Sequence, residues 1–423
     1  MTTPVNLDDW LDYIERQHPE AIEMGLERVR EVAAAMGLGK PAARVVTVAG
    51  TNGKGSTVAF IEAIARAAGL RVGTYTSPHL LKYNERVRID GREATDEALV
   101  EAFSIVEAAR GDVPLTYFEF GTLAALWLFE RSTLDLTILE VGLGGRLDAT
   151  NLVDSDVAVV TTVALDHQDW LGDDREAIGF EKAGIARAWK PLVLGDDDPP
   201  ASVLRHAYAI GASAIRAGSD FFFEHNDEGG WRWRELGFAL DLPLPTLAAP
   251  VQLRNAAIAI AALRALDVQI DDAAFANGVA SAHLPGRLQR FERGGVEIVV
   301  DVGHNPQAAG QLAAWLRASP SNGRMHAVYA ALGDKDVAGV ASALSPQVDR
   351  WWLAGTLDAG VRGIDVDALA DRLRDVALAE AGRHARVGDA LAAAMADASP
   401  GDRILVFGSF HAAVTALQSL SLR

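Results

Sequence analysis

The sequence predicts an α/β protein with two domains, and three observations support this prediction. Apolar runs of strand length alternate with longer stretches of helical spacing along most of the chain. A glycine-rich turn at residues 50–55 joins the first apolar run to a helix. The alternation starts again after Pro285-Gly286, the best hinge in the sequence. We therefore expect a first domain, residues 1–285, with a mainly parallel sheet, and a smaller α/β domain, residues 286–423.

The composition limits the classes of function. A chain of 423 residues with 49% hydrophobic and 23% charged residues is typical of a soluble globular protein with a sizeable core. The formal charge of −18 argues against a nucleic-acid partner, since a phosphate backbone would be repelled. The absence of cysteine excludes disulfides and thiolate metal sites. The N-terminus lacks a signal peptide and no run reaches the ~18 apolar residues of a membrane helix, so we expect a cytoplasmic protein without membrane contact.

The segment before the first strand, residues 6–38, has the apolar spacing of helices. Its apolar positions are Leu7, Trp10, Leu11, Ile14, Met24, Leu26, Val29, Val32 and Met36. We expect these residues to form a helical cap beside the first strand.

The glycine-rich turn that follows is a candidate phosphate cradle. Glycines let the backbone approach an anion, the N–H groups at the start of the next helix point toward it, and Lys54 adds a charge. Ser56 or Thr57 has a hydroxyl suited to a magnesium ion. The pattern departs from G-x-x-x-x-G-K-[ST], because Gly55 intervenes before the hydroxyl. Taken alone, the turn is also compatible with a purely structural loop.

Polar side chains also stand at the ends of the next apolar runs. Ser77 follows one run, Glu140 lies near the end of another, and His167 follows a third. Taken singly, Ser77 is typical of a turn and His167 of a core or surface histidine. Open α/β sheets bind ligands at the carboxyl ends of their strands, and a carboxylate there is costly to bury without a partner. Together with Ser56, these side chains predict a magnesium site.

Other segments of the first domain are less specific. The glycine-rich loop 142–151 has the mixed polar composition of a binding loop. Lys182 lies on a short predicted helix and, alone, resembles a surface lysine. Residues 220–250 have the alternation of a small β excursion, and residues 250–265 return to helix and include Asn255.

The second domain repeats the alternation of strands and helices. Strands are expected at 296–301, 325–332, 350–355 and 403–408, and helices at 306–318, 337–344, 366–378 and 388–398. Polar clusters follow the strands at residues 301–306, 333–336 and 408–411. Single clusters of this kind are ordinary helix caps, but three on one sheet edge favour a binding surface.

These motifs resemble the bacterial folylpolyglutamate synthase and dihydrofolate synthase family, a branch of the Mur ligase superfamily. The resemblance rests on residues 50–56, 77–80, 115–119, 139–151, 165–167, 181–185, 285–287 and 301–306, and so covers nearly the whole chain. It implies a P-loop-containing first domain with a small β excursion and a Rossmann-like second domain. The inserted Gly55 is the form of the loop that this family uses.

The resemblance also implies the reaction. In this family ATP phosphorylates a carboxylate to an acyl phosphate, and the amino group of L-glutamate displaces the phosphate. The implied partners are ATP, two Mg²⁺ ions, L-glutamate, dihydropteroate and reduced folates. The resemblance suggests a monomer, and we expect domain closure to assemble the site because its groups fall on both sides of the hinge. The balance between starting and extending the glutamate tail stays open.

The family's motifs assign roles to individual residues of this sequence. The ATP-binding loop would be Gly50, Thr51, Asn52, Gly53, Lys54, Gly55, Ser56 and Thr57. The metal ligands would be Ser56 (or Thr57), Ser77, Glu140, His167 and a carbamylated Lys182. Asn255 would contact adenine, Arg287 and Asp301 the nucleotide, and His304 both the nucleotide and the acyl phosphate. The pterin region would include Thr116, Phe118, Asp148 and Ala149, with Ser409 a weaker candidate for glutamate.

Two alternatives remain at this stage. A peptidoglycan Mur ligase would join an amino acid to a UDP-muramoyl acceptor with the same machinery, although residues 115–119 and the loop after Glu140 favour folate. A nucleotide-gated binding protein without ligase chemistry would need the P-loop alone. That alternative leaves Glu140, His167 and Lys182 unexplained.

Overall fold

The computed structural model describes residues 4–18, 20, 22–378 and 381–421, which divide into two units. The first unit runs to Thr246 and includes Gln252–His283. The second contains Leu247–Val251 and continues from Leu284. The sequence prediction placed the division between residues 285 and 286. In the structure Leu284 and Pro285, together with Leu247–Val251, group with the second unit.

The first unit contains ten α-helices, two short 3-10 helices and eleven strands within the described residues. The helices are α1 (Leu7–Glu15), α2 (Glu27–Met36), α3 (Lys54–Ala67), α4 (Asp96–Arg110), α5 (Tyr117–Glu130), α6 (Gln168–Leu171), α7 (Arg175–Ala183), α8 (Ala201–Ile210), α9 (Val251–Ala265) and α10 (Asp272–Ser281). The strands are β1 (Arg44–Ala49), β2 (Val72–Tyr75), β3 (Val87–Ile89), β4 (Arg92–Glu93), β5 (Leu136–Glu140), β6 (Val157–Val160), β7 (Pro191–Leu194), β8 (Ser213–Arg216), β9 (Phe221–His225), β10 (Trp231–Glu235) and β11 (Phe238–Leu242).

Eight of these strands form the main sheet in the order β4-β3-β2-β5-β1-β6-β7-β8. Neighbours from β2 to β8 pair in parallel, and β3 and β4 add an antiparallel edge. The central strands β1, β5 and β6 are almost entirely buried and mostly apolar, as expected for a sheet covered on both faces. Strands β9 to β11 form the separate antiparallel sheet that the alternation at residues 220–250 predicts.

The helical cap expected at residues 6–38 is present. It is two helices, α1 and α2, and Met24 lies in the segment between them. Asn6 caps α1 through a bond from the Asp9 N–H, and Gly37 ends α2 in a left-handed conformation. Trp10 is buried against Phe103 and Phe120, so the cap belongs to the core that α4 and α5 build on this face of the sheet.

The second unit is a smaller α/β unit. Its elements are β12 (Gln289–Arg293), β13 (Val296–Val300), α11 (Pro306–Ala318), β14 (Met325–Tyr329), α12 (Val337–Leu344), β15 (Arg350–Ala354), α13 (Val366–Arg372), β16 (Ala381–His384), α14 (Val387–Asp397), β17 (Arg403–Phe407) and α15 (Phe410–Ser421). The sheet order is β12-β13-β17-β14-β15-β16, with β12 antiparallel and the rest parallel. The sequence analysis missed both edge strands, because β12 and β16 are half exposed and lack an apolar run.

The predicted fold class, an α/β chain with a large parallel-dominated sheet followed by a smaller α/β domain, is confirmed. Among the described helices, none is long and apolar enough to cross a membrane.

Candidate active site

The glycine-rich turn between β1 and α3 adopts a backbone that side chains would prevent. Gly50 has φ 150° and Gly53, the residue before α3, has φ 87°. A Cβ added at Gly50 would lie 1.9 Å from Thr161 Oγ1, and one at Gly53 would lie 2.6 Å from Asn255 Oδ1. The glycines therefore allow both the turn and the close approach of β6 and α9.

The turn is fixed to the residues after β6 by a set of hydrogen bonds. Thr51 donates its N–H to the Thr162 carbonyl at 2.8 Å, and the Asn52 N–H donates to Thr162 Oγ1 at 3.0 Å. Thr161 Oγ1 donates to the Asn52 carbonyl at 2.6 Å. The sequence analysis did not identify Thr161 and Thr162, although their hydroxyls at a strand end beside the cradle were a usable signal. They hold the loop open at the start of α3.

Lys54 folds back over this turn. Its ammonium group donates to the carbonyls of Gly50 at 2.9 Å and Thr51 at 3.2 Å. These bonds fix the charge beside the N–H groups at the start of α3, where an anion is favoured. The arrangement is suited to a nucleotide phosphate.

The strand order explains why the predicted strand-end residues come together. Strand β5 lies between β2 and β1, and β6 lies on the other side of β1. The Ser77 N–H, after β2, donates to Glu140 Oε2, at the end of β5, at 3.1 Å. Glu140 is buried. A hydroxyl-bearing residue and a buried carboxylate therefore meet next to the cradle.

His167 follows β6 and begins the short helix α6. Its backbone is left-handed, with φ 52°, and its N–H donates to Asp166 Oδ1 at 3.0 Å. This conformation is uncommon outside glycine and is typical of functional loops.

Lys182 lies near the end of α7 and is buried. Burial, followed by the charge of Lys54, lowers the pKa of its ammonium group to about 7. The Arg146 N–H donates to the Glu181 carbonyl at 2.8 Å, which ties the end of α7 to the glycine-rich loop after β5. Tertiary packing therefore encloses this lysine, unlike an ordinary surface lysine, and its role as a metal ligand stays a prediction.

The residues present fit a divalent ion in part. Within the described residues no three His, Asp or Glu side chains form a metal cage. The predicted ligand set relies instead on hydroxyls, Glu140, His167 and a modified lysine. Thr57 Oγ1 is buried and has no hydrogen-bond partner in the described part of the chain. A nearby ion would stabilise such an oxygen, which is otherwise costly to bury.

The predicted pterin region forms around the start of α5. Thr116 caps the helix, and the buried Glu119 carboxylate accepts from the Thr116 N–H at 2.8 Å. Arg28 of α2, which the sequence analysis missed, donates to Glu119 at 2.9 Å. The Phe118 ring lies so close to Gly142 that a Cβ there would be 2.8 Å away. Phe118 therefore faces the loop that contains Asp148 and Ala149.

Asp148 is buried and holds its own loop together. It accepts from the Leu143 N–H at 2.9 Å, and from the N–H and hydroxyl of Thr150 at 3.0 and 2.6 Å. Burial raises the pKa of this carboxyl despite these bonds. The structure thus gives Asp148 a loop-shaping position, and direct contact with substrate stays a prediction.

Asn255 lies on α9 with its side chain beside Gly53. Its amide donates to Gln252 Oε1 at 2.9 Å. This position is next to the cradle, and the predicted contact with adenine stays a prediction.

In the second unit, Asp301 and His304 lie after β13 and Ser409 lies after β17, whereas Arg287 lies just before β12. The buried Asp301 carboxylate accepts from the Gly303 N–H at 2.7 Å and the Leu288 N–H at 2.9 Å. Burial raises its pKa, and the charge of Arg287 opposes that rise. His304 Nδ1 is 3.0 Å from the Val302 carbonyl, which makes Nδ1 the donor.

The Ser409 hydroxyl donates to the Ala330 carbonyl at 2.8 Å and accepts from the Ala412 N–H at 3.0 Å, so it is engaged within the fold.

Comparison with known proteins supplies the family. The Mur ligase middle domain matches residues 48–263, and the Mur ligase glutamate ligase domain matches residues 286–410. The dihydrofolate synthase/folylpolyglutamate synthase of Escherichia coli is 47% identical over 418 residues, which cover 99% of this chain and 96% of that protein. The chain belongs to the dihydrofolate synthase/folylpolyglutamate synthase family.

Solved structures of this family share the fold over the full chain. FolC of E. coli in complex with DHPP and ADP has a TM-score of 0.94 and 46% identity, covering 100% of this chain and 99% of that one. A bifunctional folylpolyglutamate synthase/dihydrofolate synthase with Mn, AMPPNP and L-glutamate bound has a TM-score of 0.91 and 46% identity, covering 99% and 100%. The predicted family and the predicted activity, an ATP-dependent acid–amino-acid ligase, are confirmed. The comparisons favour them over the two alternatives, a peptidoglycan ligase and a non-ligase binding protein.

Proposed function

We propose that this chain adds L-glutamate to dihydropteroate, giving dihydrofolate, and to the glutamate tail of reduced folates. Both additions use ATP and pass through an acyl phosphate. The observation that supports this proposal best is the contact between Ser77 and Glu140 beside the Lys54 cradle. A buried carboxylate at the end of the neighbouring strand is costly without a partner, and beside a phosphate loop it is placed to hold a Mg²⁺ ion for phosphoryl transfer.

The cradle and Lys54 bind the phosphates of ATP in this proposal. Backbone N–H groups at the start of α3 orient them, and Lys54 offsets the negative charge that develops on the transferred group. The metal ligands are Ser56 or Thr57, Ser77, Glu140, His167 and Lys182. Divalent ions, two Mg²⁺ in this proposal, supply charge neutralisation and a template for phosphoryl transfer when bound.

Lys182 acts as a carbamate in this proposal. A buried amine beside Lys54 is favoured in its neutral form, which is the form that attacks CO2. The Nζ atom forms a bond to the carbon of CO2 and loses one proton to solvent. The product is an anionic, carboxylate-like oxygen donor. It attracts a divalent cation, which the charged ammonium form of Lys182 would repel.

Substrate binding is assigned to the region around α5. Phe118 provides an apolar face for the pterin, and Thr116, Asp148 and Ala149 shape the surrounding loops. The nucleotide roles of Asn255, Arg287 and Asp301, the nucleotide and acyl-phosphate role of His304, and the glutamate role of Ser409 are part of the same proposal. We also propose that the enzyme acts as a cytoplasmic monomer.

The test is a direct product assay. Purified protein is incubated with ATP, Mg²⁺ and L-glutamate and with either dihydropteroate or tetrahydrofolate, and the products are separated by mass. We expect one added glutamate on dihydropteroate and one or more on tetrahydrofolate. UDP-linked muramoyl acceptors serve as the control. ATP hydrolysis without any amide product from either pterin would contradict the proposal.

A further inference from the structure

Arg86 is a buried cation whose partners are not carboxylates. The residue is 9% exposed and lies at the end of a short 3-10 turn, Tyr83–Arg86. Its guanidinium faces the rings of Tyr83 at 5.3 Å and Tyr117 at 5.4 Å, and its Nε donates to His79 Nδ1 at 2.8 Å. The Tyr75 hydroxyl also interacts with it. In the described residues no Asp or Glu forms an ion pair with Arg86.

The nearest acid in the sequence is already engaged. Both carboxylate oxygens of Glu85 accept backbone N–H groups, from Leu80 and Leu81 at 2.7 Å and from Lys82 at 2.9 Å. Aromatic faces stabilise a guanidinium only in part, and a buried cation without an anion is unfavourable. The site is therefore electrostatically incomplete in the protein alone.

His79 is hydrogen-bonded to Arg86 and is more exposed than Arg86. Arginine has donors only, so His79 Nδ1 must accept, and the imidazole proton lies on Nε2. The ring is half-buried, and its other contact among the described residues is with the Tyr83 ring, at 5.9 Å. The Nε2–H group is thus an oriented donor without an acceptor in the described part of the chain.

The position of His79 relates this pair to the proposed reaction centre. His79 is two residues after Ser77, whose N–H binds Glu140. Two residues of chain span at most about 7 Å, so the donor lies within a short distance of the proposed site of carboxylate activation. The terminal glutamate of a folate has two carboxylates, of which one reacts and one is retained. Dihydropteroate has a single carboxylate, which reacts.

We propose that Arg86 and His79 form a binding site for the retained carboxylate of a glutamate-bearing folate. This inference rests on the proposed function and adds a determinant that distinguishes tail extension from the first glutamate addition. His79 contacts the carboxylate through Nε2–H, and Arg86 positions the ring and supplies the charge. Charge-assisted bonds of this kind favour the diacid over a substrate that lacks the second carboxylate.

The test compares KM values for tetrahydrofolate and dihydropteroate at saturating ATP and L-glutamate. For His79→Leu we expect the ratio of the two KM values to shift about tenfold against tetrahydrofolate, as the loss of one charge-assisted bond predicts. Arg86→Met should shift the ratio at least as far. His79→Gln, whose amide can donate near the position of Nε2, and Arg86→Lys should restore part of it. Lys82→Met, which removes an exposed charge from the same turn, is the matched control and should leave the ratio unchanged.

Two outcomes of this comparison would overturn the inference. An equal rise in both KM values would mean that the pair only supports the Ser77 loop, and unchanged values would mean that it has no role; both overturn the inference. Equilibrium binding of tetrahydrofolate and pteroic acid, with a non-hydrolysable ATP analogue present, tests the pair without turnover. If wild-type protein forms no amide product, the proposed function fails, and the binding comparison still tests the carboxylate site. Melting curves identify a variant that fails to fold. If the variants of the buried Arg86 fail to fold, the variants of the half-buried His79 test the inference.

Discussion

The backbone N–H of Ser77 donates to the Oε2 atom of Glu140 across 3.1 Å. This bond joins the residues after β2 to the last residue of β5, two strands that are neighbours in the main sheet. The buried carboxylate is thereby held beside the phosphate cradle before any ligand arrives.

Glu140→Gln tests the charge of this carboxylate separately from its geometry. The amide keeps an oxygen that can accept the Ser77 N–H but loses the negative charge. We expect ligase turnover to fall at least about 100-fold, as removal of a preorganised electrostatic group does. Calorimetric titration with Mn²⁺ should show weaker binding, while the melting temperature stays close to that of the wild type. Unchanged Mn²⁺ affinity and turnover would remove Glu140 from the metal site.

Lys54→Ala should abolish ATP-dependent product formation and leave the fold intact. The Lys54 ammonium group donates to the carbonyls of Gly50 and Thr51 in its own loop, and the loop has separate backbone bonds to the residues after β6 that the substitution leaves in place. Product mass and circular dichroism measure the two effects. Lys190→Ala, an exposed lysine at the amino end of β7, is the control and should keep full turnover. Turnover near the wild-type level in Lys54→Ala would contradict the assignment.

Lys182 should be found as a carbamate in active enzyme. Its burial and the nearby charge of Lys54 favour the neutral amine that CO2 requires. Protein equilibrated with ¹³C-bicarbonate should give one carbamate resonance, and native mass spectra should show the added mass of one CO2. Lys182→Arg should lose both signals and most activity. An active Lys182→Arg variant would contradict a catalytic role for the carbamate.

The cradle and the strand-end residues were predictable from the sequence because they depend on local patterns. Glycine spacing after an apolar run, and polar residues where such runs stop, are visible over a few positions. The contact between Ser77 and Glu140 was expected only as a convergence of strand ends. It requires β2 and β5 to be neighbours, and that order depends on pairing between residues about 60 positions apart.

Other features could not be predicted from the sequence, because they depend on tertiary contacts that local patterns do not show. Asp148 and Ser409 have the residue types of ligand contacts, but backbone N–H groups in the fold occupy their oxygens. Arg86 lies in a run of charged residues that favours a solvated turn, and only tertiary packing against Tyr83 and Tyr117 buries it. Short edge strands such as β16 lack the apolar run that identifies a buried strand.

Gly50→Ala should disable the cradle through backbone and steric strain. The φ of 150° and the 1.9 Å approach of the added Cβ to Thr161 Oγ1 leave no unstrained position for a methyl group. We expect a loss of about 2 kcal/mol or more in the free energy of unfolding and a large rise in the KM for ATP. Gly310→Ala on α11 is the matched control. Its Cβ meets no atom within 4 Å, so we expect a gain of about 0.5–1 kcal/mol from helix propensity. Equal behaviour of the two variants in urea titrations would contradict the strain argument.

Asp156 should stabilise the first unit in a pH-dependent manner without affecting turnover. Its carboxylate lies before β6, at the sheet end opposite the cradle, and accepts from Lys40 at 3.0 Å, the Val45 N–H at 3.0 Å and Lys190 at 3.3 Å. Burial alone raises the pKa of this carboxyl, but hydrogen bonds from Lys40 and Val45 outweigh burial, so the pKa lies below its ordinary value. A depressed pKa means that the stabilisation is present above the unfolded-state pKa near 4 and is lost as the pH falls through the folded-state value.

Asp156→Asn should therefore lower the free energy of unfolding by about 1–2 kcal/mol at pH 7, and the difference from the wild type should shrink below about pH 4. Urea denaturation at several pH values measures this difference, and a gap that stays constant down to pH 3 would show that the charge of Asp156 contributes nothing.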